Sequence, residues 1–171
     1  MVLIMARKKK ATSKSQAAKS PAAQSQAALQ QALAFHQSGR LQEAEGLYRT
    51  ILESEPDHPG ALHYLGVLGY QAGHAGEAVK LIERSVELDP SDAEALNNLG
   101  QVYEALDRPG DAADAYGRAI DLSPDLAAAH NNLGNVLASE GELDAAIGAY
   151  EEASRLDPEG AETHFNLGDT Y

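Results

Sequence analysis

The sequence of 171 residues contains no cysteine and no tryptophan, and aromatic residues make up only 5% of it. Without cysteine the chain forms neither a disulfide nor a thiolate metal site, which fits a reducing compartment, and we expect a cytoplasmic protein. An apolar run long enough to cross a membrane is also missing. The segment Val2–Met5 is too short for a signal-peptide core, and the basic residues follow it instead of preceding it.

Motifs of catalysis are missing as well. The sequence has no Walker-type phosphate loop, no H-E-x-x-H and no G-x-S-x-G. His130 and His164 have no second ligand at helical spacing, so we interpret them as interface residues and not as metal ligands. Glu151 and Glu152 are interpreted as part of a solvated helix face. We therefore predict a protein that is not an enzyme and that uses no cofactor or metal.

Acidic residues are absent from the first 20 residues, which carry six basic ones. All 26 acidic residues and the other 7 basic residues lie in the remainder, whose formal charge is therefore −19. Such a body repels nucleic acid and anionic membranes by its net field. Residues 11–26 carry only small and polar side chains, which bury too little apolar surface to offset ordering entropy. We predict a disordered basic leader over residues 1–24.

The function of this leader stays open between three interpretations. It is a solubilising tail, a weak contact for nucleic acid or anionic lipid, or a segment that docks on the acidic body. The excess of lysine over arginine argues against a mitochondrial transit peptide.

A repeat of 34 residues is the dominant feature of the rest. Written from Ser25, the chain divides into units at 25–58, 59–92, 93–126 and 127–160, followed by a partial fifth at 161–171. Positions within a unit are numbered 1–34 from its first residue. A fixed period of this length is typical of a stacked solenoid, in which function lies in a continuous surface.

The same residue types recur at fixed positions of the unit. Position 8 is small, position 20 is alanine, position 24 is bulky and position 32 is proline. Small residues let two helices approach closely, and the bulky residue fills the space beside them. At position 15 the chain must turn, often through positive φ, and there the units carry Gly39, Gly73, Asp107 and Gly141. We predict helix A over about the first 14 positions and helix B over positions 18–31.

This pattern resembles the tetratricopeptide repeat (TPR) family. The resemblance rests on the Leu-Gly pair at positions 7 and 8, the aromatic residue at position 11, Ala at 20, the aromatic at 24 and Pro at 32, between Ser25 and Tyr171. It implies an all-α, right-handed solenoid of antiparallel helix pairs whose A helices line a concave surface. Gln31 and Gly69 depart from the pattern. Gln31 suits a wet end repeat, and Gly69 predicts a locally looser second unit.

Helical geometry then places positions 5, 6 and 9 of each A helix toward the groove. Position 6 is asparagine in three consecutive units. An amide offers a donor and an acceptor side by side, so a ladder of asparagines with a spacing of about 10 Å suits every third residue of an extended chain. Tyr64 and Tyr70 are the expected anchors. The predicted peptide-binding residues are Asn98, Asn132, Asn166, Asn97, Asn131, Gln101, Asn135, Tyr64 and Tyr70.

We therefore predict a protein-interaction scaffold that binds an extended peptide or a partner protein in its concave groove. The N-N-L-G runs are similar to the TPR arm of O-linked N-acetylglucosamine transferases, which implies an alternative role as the substrate-recruiting arm of such an enzyme. A third hypothesis is self-association through the unfinished fifth unit, because a natural end is normally capped by a polar helix. That unfinished unit also suggests that the chain is cut from a longer protein.

Overall fold

The structure is a computed structural model that describes residues 20–160 and, in the fifth unit, residues 163, 164, 166 and 168. This part of the chain is helical, with no strand. The helices are α1 (Pro21–Gln37), α2 (Leu41–Ser54), α3 (Pro59–Gln71), α4 (Ala75–Leu88), α5 (Ala93–Ala105), α6 (Pro109–Leu122), α7 (Ala127–Ser139) and α8 (Leu143–Leu156). Residues 1–19 of the predicted leader, and Leu167 and Tyr171, lie outside the described residues.

Odd-numbered helices are the A helices of successive units and even-numbered helices are the B helices. Each A helix pairs with the B helix that follows it, and each B helix contacts the A helix of the next unit. The result is the predicted right-handed solenoid of antiparallel helix pairs. None of the described helices is long and apolar enough to cross a bilayer.

The first helix begins earlier than the sequence analysis predicted. Helix α1 starts at Pro21, so residues 21–24 of the predicted disordered leader are helical. Ser20 is the N-cap, and its hydroxyl accepts a hydrogen bond from the Ala23 N–H at 3.3 Å. Serine before proline at the first helical position is a favourable helix start, and this local signal outweighs the low apolar content of the segment.

All four residues predicted to turn the chain inside a unit have positive φ. The values are 76° for Gly39, 84° for Gly73, 81° for Gly141 and 56° for Asp107. Asp107 is the only non-glycine residue of the described chain in this region, and aspartate tolerates it better than most side chains. Each B helix starts and ends one position earlier than predicted. The earlier end follows from the proline at position 32, because the residue before a proline is disfavoured in a helix.

Small and large residues interlock inside each unit at positions 8 and 24. Tyr116 is fully buried, and a Cβ added to Gly100 would lie 2.5 Å from its Cε1 atom. Gly134 meets Tyr150 and Gly66 meets Ile82 in the same way, also at 2.5 Å. In these three units a methyl group would press on the buried residue at position 24, whereas the first unit accommodates the methyl group of the buried Ala32 at position 8.

The core is continuous along the solenoid, because neighbouring units share apolar clusters. One cluster joins α3 and α4 to α5 and α6, with Ile82 and Leu96 fully buried. A second joins the first two units around Tyr48 and Leu65. This arrangement is expected of repeats, since one helical hairpin cannot bury its own apolar face.

Gly100 tests the interlock between positions 8 and 24. We expect Gly100→Ala to lower the free energy of unfolding by about 1–3 kcal/mol, because the buried Tyr116 ring cannot move aside. Gly117 is the matched control, since it lies in the middle of α6 with nothing within 4 Å of an added Cβ. Gly117→Ala should raise stability by about 0.5–1 kcal/mol through helix propensity. Urea unfolding measures the free energy of unfolding of both variants. If Gly100→Ala is as stable as Gly117→Ala, the interlock is contradicted.

Candidate functional site

The A helices line one side of the solenoid, which we call the inner surface. Helix α3 contacts α5 directly, and α5 contacts α7. Side chains at positions 5, 6 and 9 therefore meet their counterparts on the neighbouring A helix. The described residues of the fifth unit continue this arrangement, because Asn166 lies against α7.

A ladder of side-chain hydrogen bonds crosses the inner surface from unit to unit. Asn132 donates from Nδ2 to Oδ1 of Asn97 at 3.1 Å, and Asn166 donates to Oδ1 of Asn131 at 3.4 Å. Asn98 makes the equivalent bond to Nε2 of His63 at 2.8 Å. Each bond joins position 6 of one unit to position 5 of the unit before. The position-6 asparagines thus connect neighbouring units.

The ladder gives position 5 a structural role between units. Asn97 and Asn131 are only 8% exposed, because the neighbouring A helix covers them. They accept the hydrogen bonds of the asparagines of the next unit, and their role in peptide binding stays a prediction. The asparagines at position 6 remain half-buried at the surface, and no partner among the described residues bonds the Oδ1 atoms of Asn98 and Asn132. The inner surface therefore presents these oxygens as acceptors.

His63 replaces asparagine in the ladder at the junction of the second and third units. Its ring is fully buried, and Nε2 accepts from Asn98, which leaves the proton of the neutral ring on Nδ1. That nitrogen lies 3.6 Å from Oδ2 of Asp92, too far for a hydrogen bond, and has no other partner among the described residues. Burial lowers the pKa of His63, against the opposing effect of the carboxylates of Asp92 and Glu94.

Tyr64 lies beside His63 at the same junction and is half-buried. The two rings stack with centroids 4.4 Å apart, and the Tyr64 ring also stacks with that of Tyr48 at 6.1 Å. The Tyr64 hydroxyl approaches Glu94 of the next unit at 3.5 Å, and burial together with that carboxylate raises its pKa. The second predicted anchor, Tyr70, packs against the apolar cluster shared by α4 and α5 and does not join Tyr64.

The remaining predicted residues line two shallow depressions. Gln101 lines the first, of about 330 Å³, with Asn131, Asn132 and the turn before the fifth unit. Asn135 lines the second, of about 200 Å³, with Glu104 and Ser139. Asn135 is also tied internally, because its Oδ1 accepts from the Tyr150 hydroxyl at 2.9 Å and from Asn166 at 2.9 Å.

His130 and His164 lie at the junctions between units, as the sequence analysis predicted. Nε2 of His130 lies 3.0 Å from the carbonyl oxygen of Pro124, and that of His164 lies 2.9 Å from the carbonyl of Pro158. Each histidine thus bonds the chain just after the preceding B helix. Within the described residues no group of three or more His, Asp and Glu side chains is arranged to hold a metal ion.

Comparison with known families agrees with this architecture. A profile described as tetratricopeptide repeat matches residues 15–59, 29–93 and 65–127, and one described as TPR repeat matches residues 134–171. The chain belongs to the TPR family. A comparison with curated proteins gives no significant match in sequence.

Solved TPR structures are similar over most of the chain. A crystal structure of MamA is 31% identical with a TM-score of 0.73, over 82% of each chain. A mutant O-GlcNAc transferase of Thermobaculum terrenum is 30% identical with a TM-score of 0.75, over 81% of this chain but 27% of that one. YrrB, described as a TPR protein with an unusual peptide-binding site, is 23% identical with a TM-score of 0.72, over 91% of this chain and 84% of its own. At 23% identity, the likeness to YrrB shows a shared fold and nothing more.

The buried His63 predicts that stability depends on pH. Because its pKa is lowered on folding, the unfolded chain takes up a proton first as the pH falls below about 6.5, and stability decreases there. The contribution of one histidine approaches about 1.4 kcal/mol per pH unit. His63→Asn removes the titrating group and copies the Asn97 and Asn132 pair of the next junction.

Urea unfolding at pH 7.5 and pH 5.5 tests this dependence in the natural chain and in His63→Asn. We expect the natural chain to lose more stability on acidification than the variant does. Equal losses in both proteins would show that His63 takes up its proton as readily in the folded chain as in the unfolded one.

Proposed function

We propose that this chain is a protein-interaction scaffold whose inner surface binds an extended peptide or an extended segment of a partner protein. The observation that supports this most is the recurrence of a half-buried asparagine at position 6 in successive units, with its position fixed by the ladder. A fixed polar group that repeats along a surface with the period of the helices matches the backbone of an extended chain, which also repeats.

The ladder fixes how these asparagines face a ligand. In Asn98 and Asn132 one N–H of the side-chain amide is bonded within the protein, and Oδ1 has no partner among the described residues, so the oxygen is available as an acceptor. The oxygens of Asn98 and Asn132 suit the N–H groups of an extended ligand. Holding the amides in place in advance lowers the ordering entropy that binding costs.

Tyr64 and Glu94 give the surface a preference for a basic ligand side chain. The Glu94 carboxylate, which lies beside the Tyr64 hydroxyl, suits the cationic group of a lysine or arginine through an ion pair. The net charge of −13 for the whole chain acts in the same direction. The peptide-binding site named for YrrB supports this use of the fold.

The strength expected of this surface is modest. One net hydrogen bond contributes about 1 kcal/mol, so two asparagines contribute about 2 kcal/mol, or roughly thirtyfold in affinity. Useful binding therefore also needs side-chain anchors such as Tyr64.

Substitution of the two asparagines tests the proposal. We expect the double variant Asn98→Ala, Asn132→Ala to capture its partners from a lysate roughly thirtyfold less well than the natural chain, after equal helicity is confirmed by circular dichroism. Quantitative mass spectrometry of the captured proteins measures the loss.

Asn97→Ala tests the ladder itself, because it removes the acceptor that fixes Asn132 while leaving the exposed residues of the inner surface in place. It should weaken capture by less than the double variant does, since both position-6 side chains remain. Should the double variant capture the same proteins as the natural chain, the asparagines connect the units and do not bind ligands.

A role as the substrate-recruiting arm of a glycosyltransferase is the second candidate. The observation that favours it is the 30% identity to the O-GlcNAc transferase structure over 81% of this chain. Sequencing the locus downstream of Tyr171 separates the candidates. An open reading frame that continues into a large α/β catalytic domain would support the arm, and a stop codon there would exclude it.

A further inference from the structure

A cleft of about 550 Å³ opens between the B helices α2 and α4, away from the inner surface. Its floor is apolar, with the buried side chains of Leu65, Leu68 and Ala78 and the half-buried Leu81. Gly69, at position 11 of the second unit, lies at its edge. The volume lies within the range of ligand-binding pockets.

Two other units fill position 11 with an aromatic ring that is covered by an arginine. In the first unit the Arg40 guanidinium lies 4.1 Å above the centre of the Phe35 ring, and it is paired with Glu43. The positions of these residues in the unit are 11, 16 and 19. The three side chains form one cluster, which we call the aromatic–arginine–acid triad.

The third unit repeats this triad. Arg108 lies 4.3 Å above the centre of the Tyr103 ring and donates from Nε to Oδ2 of Asp111 at 2.7 Å. The Tyr103 hydroxyl also reaches back to Glu83 on the preceding B helix at 2.8 Å. The ring thus spans the space between the A helix of its unit and the B helix before it. Tyr103 therefore shows, within this chain, what the space beside Gly69 accommodates.

The second unit keeps only the acid of the triad. Gly69 stands in place of the aromatic residue, His74 in place of the arginine, and Glu77 in place of the acid. All three residues line the cleft. Within the described chain the Glu77 carboxylate has no side-chain partner, whereas Glu45 on the opposite wall is paired with Arg49 at 2.8 Å. The fourth unit is filled differently, by Leu137 at position 11.

We propose that this cleft binds a partner protein through an aromatic side chain that lies beside an arginine, so that the partner completes the triad of the second unit. The ring occupies the apolar floor that Gly69 leaves uncovered, and the guanidinium pairs with Glu77. This site is separate from the inner surface and goes beyond the proposed function.

Other occupants fit less well. The first aromatic residue of the sequence is Phe35, so no ring is available from residues 1–34 to fill the cleft. Among the described residues the rings covered by an arginine are those of Phe35 and Tyr103, and a second copy that inserted either ring would have to break its own triad.

The stability of designed variants tests the cleft without any partner. Gly69→Ala is the matched control, because its Cβ makes an ordinary contact at 3.8 Å with Ala78 and gives the gain in helix propensity alone. We expect Gly69→Tyr with His74→Arg to melt about 3–6 °C above Gly69→Ala, because the double variant rebuilds the triad. A melting temperature at or below that of Gly69→Ala would overturn the proposal.

Binding is tested with acetyl-tyrosyl-arginine amide, titrated into the natural chain and followed by amide chemical shifts. We expect saturable shifts at Gly69, Ala78 and Leu81 with a millimolar dissociation constant, and their loss when the double variant fills the cleft. Glu77→Gln should weaken binding at least threefold, and acetyl-tyrosyl-glutamate amide should bind less well to the natural chain.

Three outcomes would overturn this assignment. They are shifts confined to the inner surface around Tyr64, shifts that persist unchanged in the double variant, and a concentration-dependent dimer that the double variant abolishes. The last would assign the cleft to a second copy of the chain. None of these results bears on the asparagines of the inner surface, so failure here leaves the proposed function untouched.

Discussion

The close approach of the two helices in each unit is the constraint on which the rest depends. Gly66, Gly100 and Gly134 have no side chain because a buried Ile or Tyr at position 24 occupies the space where one would be. This contact sets the distance and register of the hairpin. With the hairpin fixed, the A helices fall next to one another, and positions 5 and 6 come within hydrogen-bonding reach across units. The geometry of the inner surface is thus set by the packing of positions 8 and 24, which lie in the core and not on that surface.

The tyrosines at position 24 also show how a buried hydroxyl is accommodated in such a contact. The Tyr116 hydroxyl donates a hydrogen bond to Glu104 at 2.5 Å. Burial raises the pKa of Tyr116, and this hydrogen bond raises it further. Burial likewise raises the pKa of Glu104, against the lowering effect of the same bond. Tyr150 uses Asn135 instead. In both units the large ring stays in the apolar space while its polar end reaches the helix that lines the groove, so the core and the inner surface share residues.

Much of this fold follows from the repeat alone. The period predicts the helix pairs, and the requirement for positive φ is met even where Asp107 replaces glycine. Two features of the site do not follow from one unit. The angular position of Asn97 and Asn131 on a single helix places them on an open face, but the neighbouring A helix covers them. How close that helix lies depends on packing between units, which one unit does not show. The start of α1 was missed because the prediction gave weight to the composition of sixteen residues and not to the local cap signal at Ser20 and Pro21. The looser second unit expected from Gly69 stays a prediction, and Gly69 itself lies at the edge of the cleft between α2 and α4.

The ladder bonds of the inner surface all run in one direction. In every one of them the amide N–H of the later unit points back to the earlier unit, from Asn98, Asn132 and Asn166 in turn. Their side-chain dipoles therefore add along the axis of the solenoid and do not cancel. A peptide backbone is polar along its length too, so the two ways of laying it along this surface are energetically different. For the extended ligand that we propose, the polarity of the solenoid favours one orientation, independently of the ligand's side chains.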